Sequence, residues 1–266
     1  MGTAPTAGPG PDDVVVGVDI GGTGIKGAPV DVGGGRFSAE RVRILTPQPA
    51  TPAAVVEVVR QVLDQLGTPG PVGITLPSVV RGGVVHTAAN IDESWIGQNA
   101  DQLFSEALSR PVTTINDADA AGIAEVRYGA GRDQSGTVLL ITLGTGIGSA
   151  LFADGVLVPN TELGHLRIHH LDAEDWAADS VRVAEDVTWK QWAHRLQKYL
   201  EMLERVLQPD LFIVGGGVSK KSEKFLPHID IRTRIVPAQL HNDAGIIGAA
   251  AGAGSGSGSG SGTGPA

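Results

Sequence analysis

VVVGVDIGGTGIKG (Val14–Gly27) is the stretch on which the fold turns. Val14–Asp19 is a β-rich run ending in an acid, Gly21-Gly22-Thr23-Gly24 is a glycine turn, and Ile25–Asp31 returns as a strand. Strand, glycine turn and strand make a hairpin. Pro29 donates no ladder hydrogen bond and is expected at a bulge or an unpaired edge position. The pattern restarts in GTVLLITLGTGIGSALF (Gly136–Phe152), with Gly144-Thr145-Gly146 as the turn. Gly-Thr-Gly-Ile thus occurs at Gly22–Ile25 and again at Gly144–Ile147. A long-period repeat implies two similar lobes rather than a solenoid. In a chain with 38 glycines, coincidence is the competing reading.

Working outward, Thr51-Pro52 opens a helix with a cap and a first-turn proline, Val55, Val59, Val62, Leu63 and Leu66 form its apolar stripe, and Gly67 stops it. Pro71–Leu76 and Pro111–Ile115 read as strands, with helical spacing at Leu103, Phe104, Ala107 and Leu108 between them. Thr188 and Gln191 form a capping box before a long amphipathic helix carrying Trp192, Leu196, Tyr199, Leu200, Leu203 and Leu207. Its tryptophans read as core or dimer contacts. Asp210–Val214 is a buried strand ending in Gly215-Gly216-Gly217, and a small-residue helix follows over residues 242–251. Strands alternating with helices in both halves give an α/β class. The expected organisation is a disordered arm over 1–12, an N-terminal lobe over 13–116, a C-terminal lobe over 117–252 and a Gly/Ser tail over 253–266.

The 266 residues hold 41% apolar and 18% charged side chains, an ordinary globular balance. No apolar run of about eighteen residues exists, so no membrane span is expected, and no signal peptide is read at the N-terminus. The absence of cysteine removes disulfides, thiolate zinc sites and Cys nucleophiles, and fits a cytoplasmic enzyme. A net charge of −9 argues against nucleic-acid binding, although a local basic patch still serves a polyanion.

Backbone phosphate binding needs glycine, because several N–H groups must converge on one anion without intervening side chains. The chain offers Gly21–Gly24, Gly144–Gly148 and Gly215–Gly217, each at a strand end. None is a Walker A loop or a dinucleotide fingerprint. Asp19 beside the first turn reads as a water-mediated Mg²⁺ contact or as a turn-forming Asp. Thr23 and Lys26 add a hydroxyl and a charge. Asn116-Asp117-Ala118-Asp119 lies between a strand and a helix, so Asp117 is either a cap or a base that takes a hydroxyl proton. Glu162, His165 and Glu174 suit sugar hydroxyls, which donate and accept together.

DIGGTGIKG, LGTGIG and ELGH together resemble the repressor–open-reading-frame–sugar-kinase (ROK) family. The resemblance runs from about Val14 to Ala250 and is nearest to its polyphosphate glucokinase branch, through LPSVVRGGVVHTAANIDESWIG, NDADAAGIAEVRYGAG, VLVPNTELGH, DLFIVGGGVSKK and FLPHIDIRTRIVPAQL. It implies a two-lobed actin-like ATPase-domain (ribonuclease H-like) fold with a cleft between the lobes. It implies Asp117 as general base and Asp19, Gly21, Gly22, Thr23 and Lys26 as the first phosphate segment. Gly144, Thr145 and Gly146 match the second phosphate segment, and Gly215, Gly216 and Gly217 the segment that meets adenosine in ATP-using relatives. Asn90, Asn116, Asp117, Glu162, His165 and Glu174 match hexose-binding positions, and Ser78 the loop that closes over the sugar. Most of the wider family follows ELGH with a zinc-binding cysteine cluster. Here the stretch is LRIHHLDAEDW without cysteine, so no zinc is expected.

The implied reaction is phosphoryl transfer to the 6-hydroxyl of glucose from inorganic polyphosphate, with ATP as a further donor and Mg²⁺ as cofactor. A long polyanion needs a basic track; Lys220, Lys221 and Lys224 after the third turn, with Arg127 and Arg132, are the candidates. Rival readings are an ATP-only glucokinase or glucomannokinase, a sugar-sensing regulator, and an actin-like structural or chaperone ATPase. Regulators of this family carry an N-terminal helix-turn-helix, and only about a dozen residues precede Val14. The partners expected are glucose, polyphosphate, ATP and, by family analogy, a second copy in a homodimer.

Overall fold

The structure, a computed structural model, describes residues 14–89 and 91–255. It divides into two units, one running through Ile115 and resuming at Ala249, the other Asn116–Gly248. The arm read over 1–12 and most of the expected tail lie outside the described residues.

In the first unit, β1 (Val14–Gly21) and β2 (Gly24–Asp31) pair antiparallel from Val14 opposite Asp31 to Gly21 opposite Gly24. The strands β3 (Arg36–Phe37) and β4 (Val42–Ile44) both pair with β2. Pro29 falls between the stretch of β2 that pairs with β4 and the stretch that pairs with β3. Its carbonyl accepts the Ser38 N–H on that outer side, so the ring removes a donor where no ladder partner is needed. The helix α1 (Pro52–Leu66) is capped by Thr51, whose hydroxyl accepts from Ala54 N, and ends at a left-handed Gly67. It buries Val55, Val56, Val59, Val62 and Leu63. Next, β5 (Val72–Leu76) runs parallel to β1. A small hairpin, β6 (Val80–Arg81) and β7 (Val84–Val85), leads to α2 (Ala100–Leu108) and then β8 (Val112–Asn116). The sheet order is β3-β2-β1-β5-β8. Trp95 and Phe104 stack in the core at 5.8 Å, and the Trp95 indole N–H donates to the Ala50 carbonyl at 3.0 Å. Each such buried side chain contributes about 1.5–3 kcal/mol.

The second unit opens with α3 (Asp117–Tyr128), followed by β9 (Thr137–Leu143), β10 (Ile147–Ala153) and β11 (Val156–Val158). A short hairpin of β12 (Arg167–Ile168) and β13 (Leu171–Asp172) precedes α4 (Ala173–Ala177), α5 (Asp179–Ala184) and α6 (Trp189–Leu207). Strands β14 (Leu211–Gly215) and β15 (Arg234–Pro237) complete a sheet of order β11-β10-β9-β14-β15. The first unit's pattern repeats: a hairpin whose first strand pairs on its other edge with a parallel strand. Leu139 and Ile141 of β9 join Trp192, Leu196, Tyr199 and Leu203 of α6 in one core. Val138 and Leu140 point the other way, into a core shared with Ala121, Ile123 and Val126 of α3. A strand stretch covered on both faces is apolar on both, which is why Val138–Ile141 of β9 reads as a run rather than an alternation.

Glu125 of α3 is fully buried and accepts backbone N–H groups from Ala130, Gln239 and Leu240 at 2.8, 3.1 and 2.6 Å. The described residues end in α7 (Ala244–Ser255), which runs three residues into the segment read as tail. From Ala249 its residues group with the first unit, whereas the sequence reading keeps residues through 252 in the C-terminal lobe. Gly73 of β5 explains this closeness: a Cβ there would collide with the Ala249 carbonyl.

Candidate active site

In the first unit the hairpin register sets Asp19 opposite Lys26. Asp19 Oδ2 lies 3.1 Å from Lys26 Nζ, and its Oδ1 accepts the Thr75 hydroxyl at 3.0 Å. The turn is braced from outside: Thr46 donates to the Gly21 carbonyl at 2.5 Å and Arg43 to the Thr23 carbonyl at 3.2 Å. Gly21 and Gly22 line a cavity of about 310 Å³ with Thr46, Gln48, Pro77 and Asp92. Ser78 is buried on the adjoining loop, its N–H bonded to Leu76 O. Asn90 lies outside the described residues. A single carboxylate that already shares one oxygen with Lys26 fits Mg²⁺ only through water, since that ion keeps several waters and draws other ligands from phosphate. Among the described residues no group of three or more His, Asp or Glu side chains is arranged to hold a metal ion directly.

In the second unit Asn116, at the end of β8, caps α3: its Oδ1 accepts from Ala118 N at 2.8 Å and Asp119 N at 3.0 Å. Capping therefore falls to Asn116, and Asp117 stands exposed at the positive end of the helix with Oδ1 on Ala118 N at 2.9 Å. His165 is surrounded by three acids. Its Nδ1 lies 3.1 Å from Asp172 and 3.6 Å from Glu174, and its Nε2 lies 3.7 Å from Glu162. With the Nδ1 proton given to Asp172, Nε2 is left to accept. Burial pushes the Glu162 carboxyl up; His165 opposes the shift and Glu174 adds to it. Burial also pushes Asp119 up to about 6, opposed by the Asn160 N–H and helped by Glu162.

These groups connect to the second turn. Glu174 Oε2 accepts the Ile147 N–H at 3.2 Å. Ser180 at the start of α5 donates its N–H to the Gly144 carbonyl at 3.0 Å and its hydroxyl to the Thr145 carbonyl at 2.6 Å. The third turn meets the same place, since a Cβ on Gly216, whose φ is 80°, would strike Leu143. Beyond it, Trp189 collects cations: Arg182 lies 4.0 Å from the indole centroid, Lys224 5.6 Å and Lys221 5.9 Å. Trp192 is core, as read; Trp189 stacks on Phe225 and carries this cluster instead. Lys220 is exposed beside it in sequence. Of the two arginine candidates, Arg127 stacks on its neighbour Tyr128 at 5.2 Å, and Arg132 is exposed, 3.8 Å from Asp133. Sequence reading missed Asp119, Asp172, Ser180, Arg182 and Trp189. Only Asp119 had a visible signal, as the second acid of NDAD.

Two sheets of matching order, each closed at a glycine turn, define the two-lobed actin-like ATPase-domain (ribonuclease H-like) fold of sugar kinases. Residues 15–175 match the ROK family model, and the chain belongs to the ROK family. It is 51% identical over 235 residues to the polyphosphate glucokinase of Mycobacterium tuberculosis, covering 88% of this chain and 89% of that protein. It is 49% identical to the polyphosphate glucokinase of Mycobacterium leprae over 88% of this chain and 72% of that one. The crystal structure of an inorganic polyphosphate/ATP-glucomannokinase from Arthrobacter sp. strain KM superposes with a TM-score of 0.86 at 52% identity, covering 89% of this chain and 96% of that one.

Proposed function

We propose that the chain is a polyphosphate-dependent glucokinase, moving the terminal phosphoryl group of inorganic polyphosphate to the 6-hydroxyl of glucose. The observation that carries this reading is the 51% identity over 235 residues to a protein of that name. ATP is the second donor and mannose a second acceptor in this proposal, on the strength of the Arthrobacter relative's name. Mg²⁺, cytoplasmic location and homodimeric assembly rest on the family resemblance. No helix among the described residues is long and apolar enough to cross a membrane.

Phosphoryl transfer passes through a loose transition state, so positioning and charge neutralisation dominate. Asp117 orients the 6-hydroxyl and takes its proton; Asn116 holds the helix start that aims it. Glu162 and Glu174 accept from ring hydroxyls and His165 accepts at its Nε2, with Asn90 and Ser78 as further sugar contacts. Gly21, Gly22, Thr23, Gly144, Thr145 and Gly146 offer N–H donors to the donor phosphates, with Gly215, Gly216 and Gly217 serving the nucleotide. Lys26 adds charge, and Mg²⁺ held through water by Asp19 would neutralise donor oxygens. Lys220, Lys221 and Lys224 form the polyphosphate track, two of them gathered at Trp189, with Arg127 and Arg132 as further candidates.

The test is glucose 6-phosphate formation with Mg²⁺, with long-chain polyphosphate and ATP assayed in parallel. Activity with polyphosphate, alone or above ATP, is expected. Activity with ATP alone removes the polyphosphate reading and leaves the hexose kinase. No product with either removes both.

A further inference from the structure

The residue two places after the proposed base is a second acid that none of these roles uses. Asp119 is 1% exposed. Its Oδ2 accepts the Asn160 backbone N–H at 2.7 Å, while its Oδ1 has no hydrogen-bond partner among the described residues. Asn160 is left-handed, with φ 57°, so the chain from Pro159 to Leu163 turns sharply at this point. Ser149, also buried, holds the other end of that segment: its hydroxyl donates to the Thr161 carbonyl and accepts from Leu163 N at 3.1 Å. Between the two anchors sits Glu162, its side chain 43% exposed and 3.7 Å from His165.

A buried carboxylate with one unpartnered oxygen costs stability, and an apolar side chain would fill the space at less cost. The helix does not need it either, because Asn116 supplies the cap. The carboxylate's visible work is the Asn160 contact, and what that contact fixes is the backbone leading into Glu162. We propose that Asp119 is a positioning residue for hexose recognition, acting through the Asn160 main chain to hold Glu162 in place. This rests on the reading of Glu162 as a hexose contact.

The experiment is steady-state kinetics on the full chain with glucose and long-chain polyphosphate. Asp119→Ala is expected to raise KM for glucose at least ~10-fold, since a site displaced by about an ångström loses much of its fit. KM for polyphosphate and kcat are expected to stay within ~3-fold, because the turns and Asp117 are untouched. Asp119→Asn keeps an acceptor toward the Asn160 N–H and is expected to hold glucose KM within ~3-fold of wild type. A purely structural role predicts no such split between substrates and no rescue by Asn. An unchanged glucose KM in Asp119→Ala, an equal rise in both KM values, or an Asn variant as impaired as Ala overturns the proposal. Where Asp119→Ala does not fold, Asn160→Val replaces it, since a β-branched residue resists the left-handed conformation. It too is expected to raise glucose KM selectively, and no change overturns the proposal. Glu162→Gln separates the two levels: an unchanged glucose KM there removes the hexose reading of Glu162. A raised KM there beside an unaffected Asp119→Ala removes only the inference.

Discussion

At Gly22–Ile25 the hairpin closes with Gly21 opposite Gly24, leaving Gly22 and Thr23 as the turn. At Gly144–Ile147 the same four residues close with Leu143 opposite Ile147, so Gly144, Thr145 and Gly146 all lie in the turn. The surroundings account for the slip in register. Glu174 takes the Ile147 N–H and sits 2.5 Å from where a Gly146 Cβ would be, while Ser180 holds the Gly144 and Thr145 carbonyls. The first turn carries its own charges, Asp19 facing Lys26. At the corresponding positions the second copy has Ile141 and Gly148, and its acids arrive from α4, β13 and the segment after β11. The repeat keeps the sheet order and lets the chemistry diverge, the first copy toward an ion pair, the second toward a cluster of acids beside a helix start.

If the second unit carries the proton chemistry, its loss there should be the largest effect of any single change. Asp117→Asn is expected to lower kcat at least ~100-fold, the usual scale for a missing general base, with KM for glucose little changed. Near-wild-type kcat would remove the assignment and with it the functional half of the contrast.

The acid cluster also makes a prediction about stability. Burial pushes the Asp119 carboxyl up to about 6 in the folded chain, against an ordinary value of about 3.9. A raised acid favours the fold fully below the unfolded value, and that contribution is lost as pH rises through the folded value. Wild type should therefore lose stability between about pH 4 and pH 6, by at most about 3 kcal/mol from this group. Glu162, also pushed up, adds in the same direction. Urea unfolding of Asp119→Asn should show a flatter pH dependence over that range. An undiminished slope in that variant would mean Asp119 is not its source.

The two hairpins can also be compared by adding one methyl group to each. A Cβ on Gly148 would lie 2.5 Å from the Thr142 hydroxyl and 2.9 Å from Ala118 Cβ, whereas nothing lies within 4 Å of one on Gly22. Gly148→Ala is expected to cost about 1–3 kcal/mol by overpacking, and Gly22→Ala less than about 1. Equal effects in thermal melts would show that the start of α3 does not constrain the second hairpin. This packing is also why Lys26 can have no counterpart at Gly148.

Those positions show where sequence reading succeeds and where it stops. The hairpins, the capped helices at Thr51 and Thr188 and the strand ends were legible because turn glycines, caps and apolar periodicity are local signals. The proline at residue 29 was legible too, as a missing donor. The register slip was not, because it depends on Glu174 and Ser180, 27 and 35 residues away from the atoms they hold. Asp172 beside His165 and Arg182 beneath Trp189 were hidden for the same reason: nothing local marks an acid or an arginine that finds its partner through the fold. The length of α7 was misjudged because Gly and Ala next to a Gly/Ser repeat look like tail until they are seen packed.

The smallest expected effect concerns the cations that the second and third turns lack in their own strands. Arg182 is tied to Asp179 at 2.7 Å, so it packs against Trp189 largely neutralised. Lys221 and Lys224 reach the same indole, are exposed, and form no ion pair among the described residues. They are free positive charge next to a glycine turn, on a chain with net charge −9. Exposed charges act over about a Debye length, ~8 Å at physiological salt, which favours a donor long enough to reach them. Replacing Lys220, Lys221 and Lys224 together by Ala should therefore raise KM several-fold for long polyphosphate, on the order of 3–10-fold at low salt. KM for ATP and short chains should hold, and the difference should shrink as salt is added. A chain-length profile that matches wild type would mean the second and third turns hold the donor without outside cations, and that the two halves of the repeat differ less in how they meet phosphate than their residues suggest.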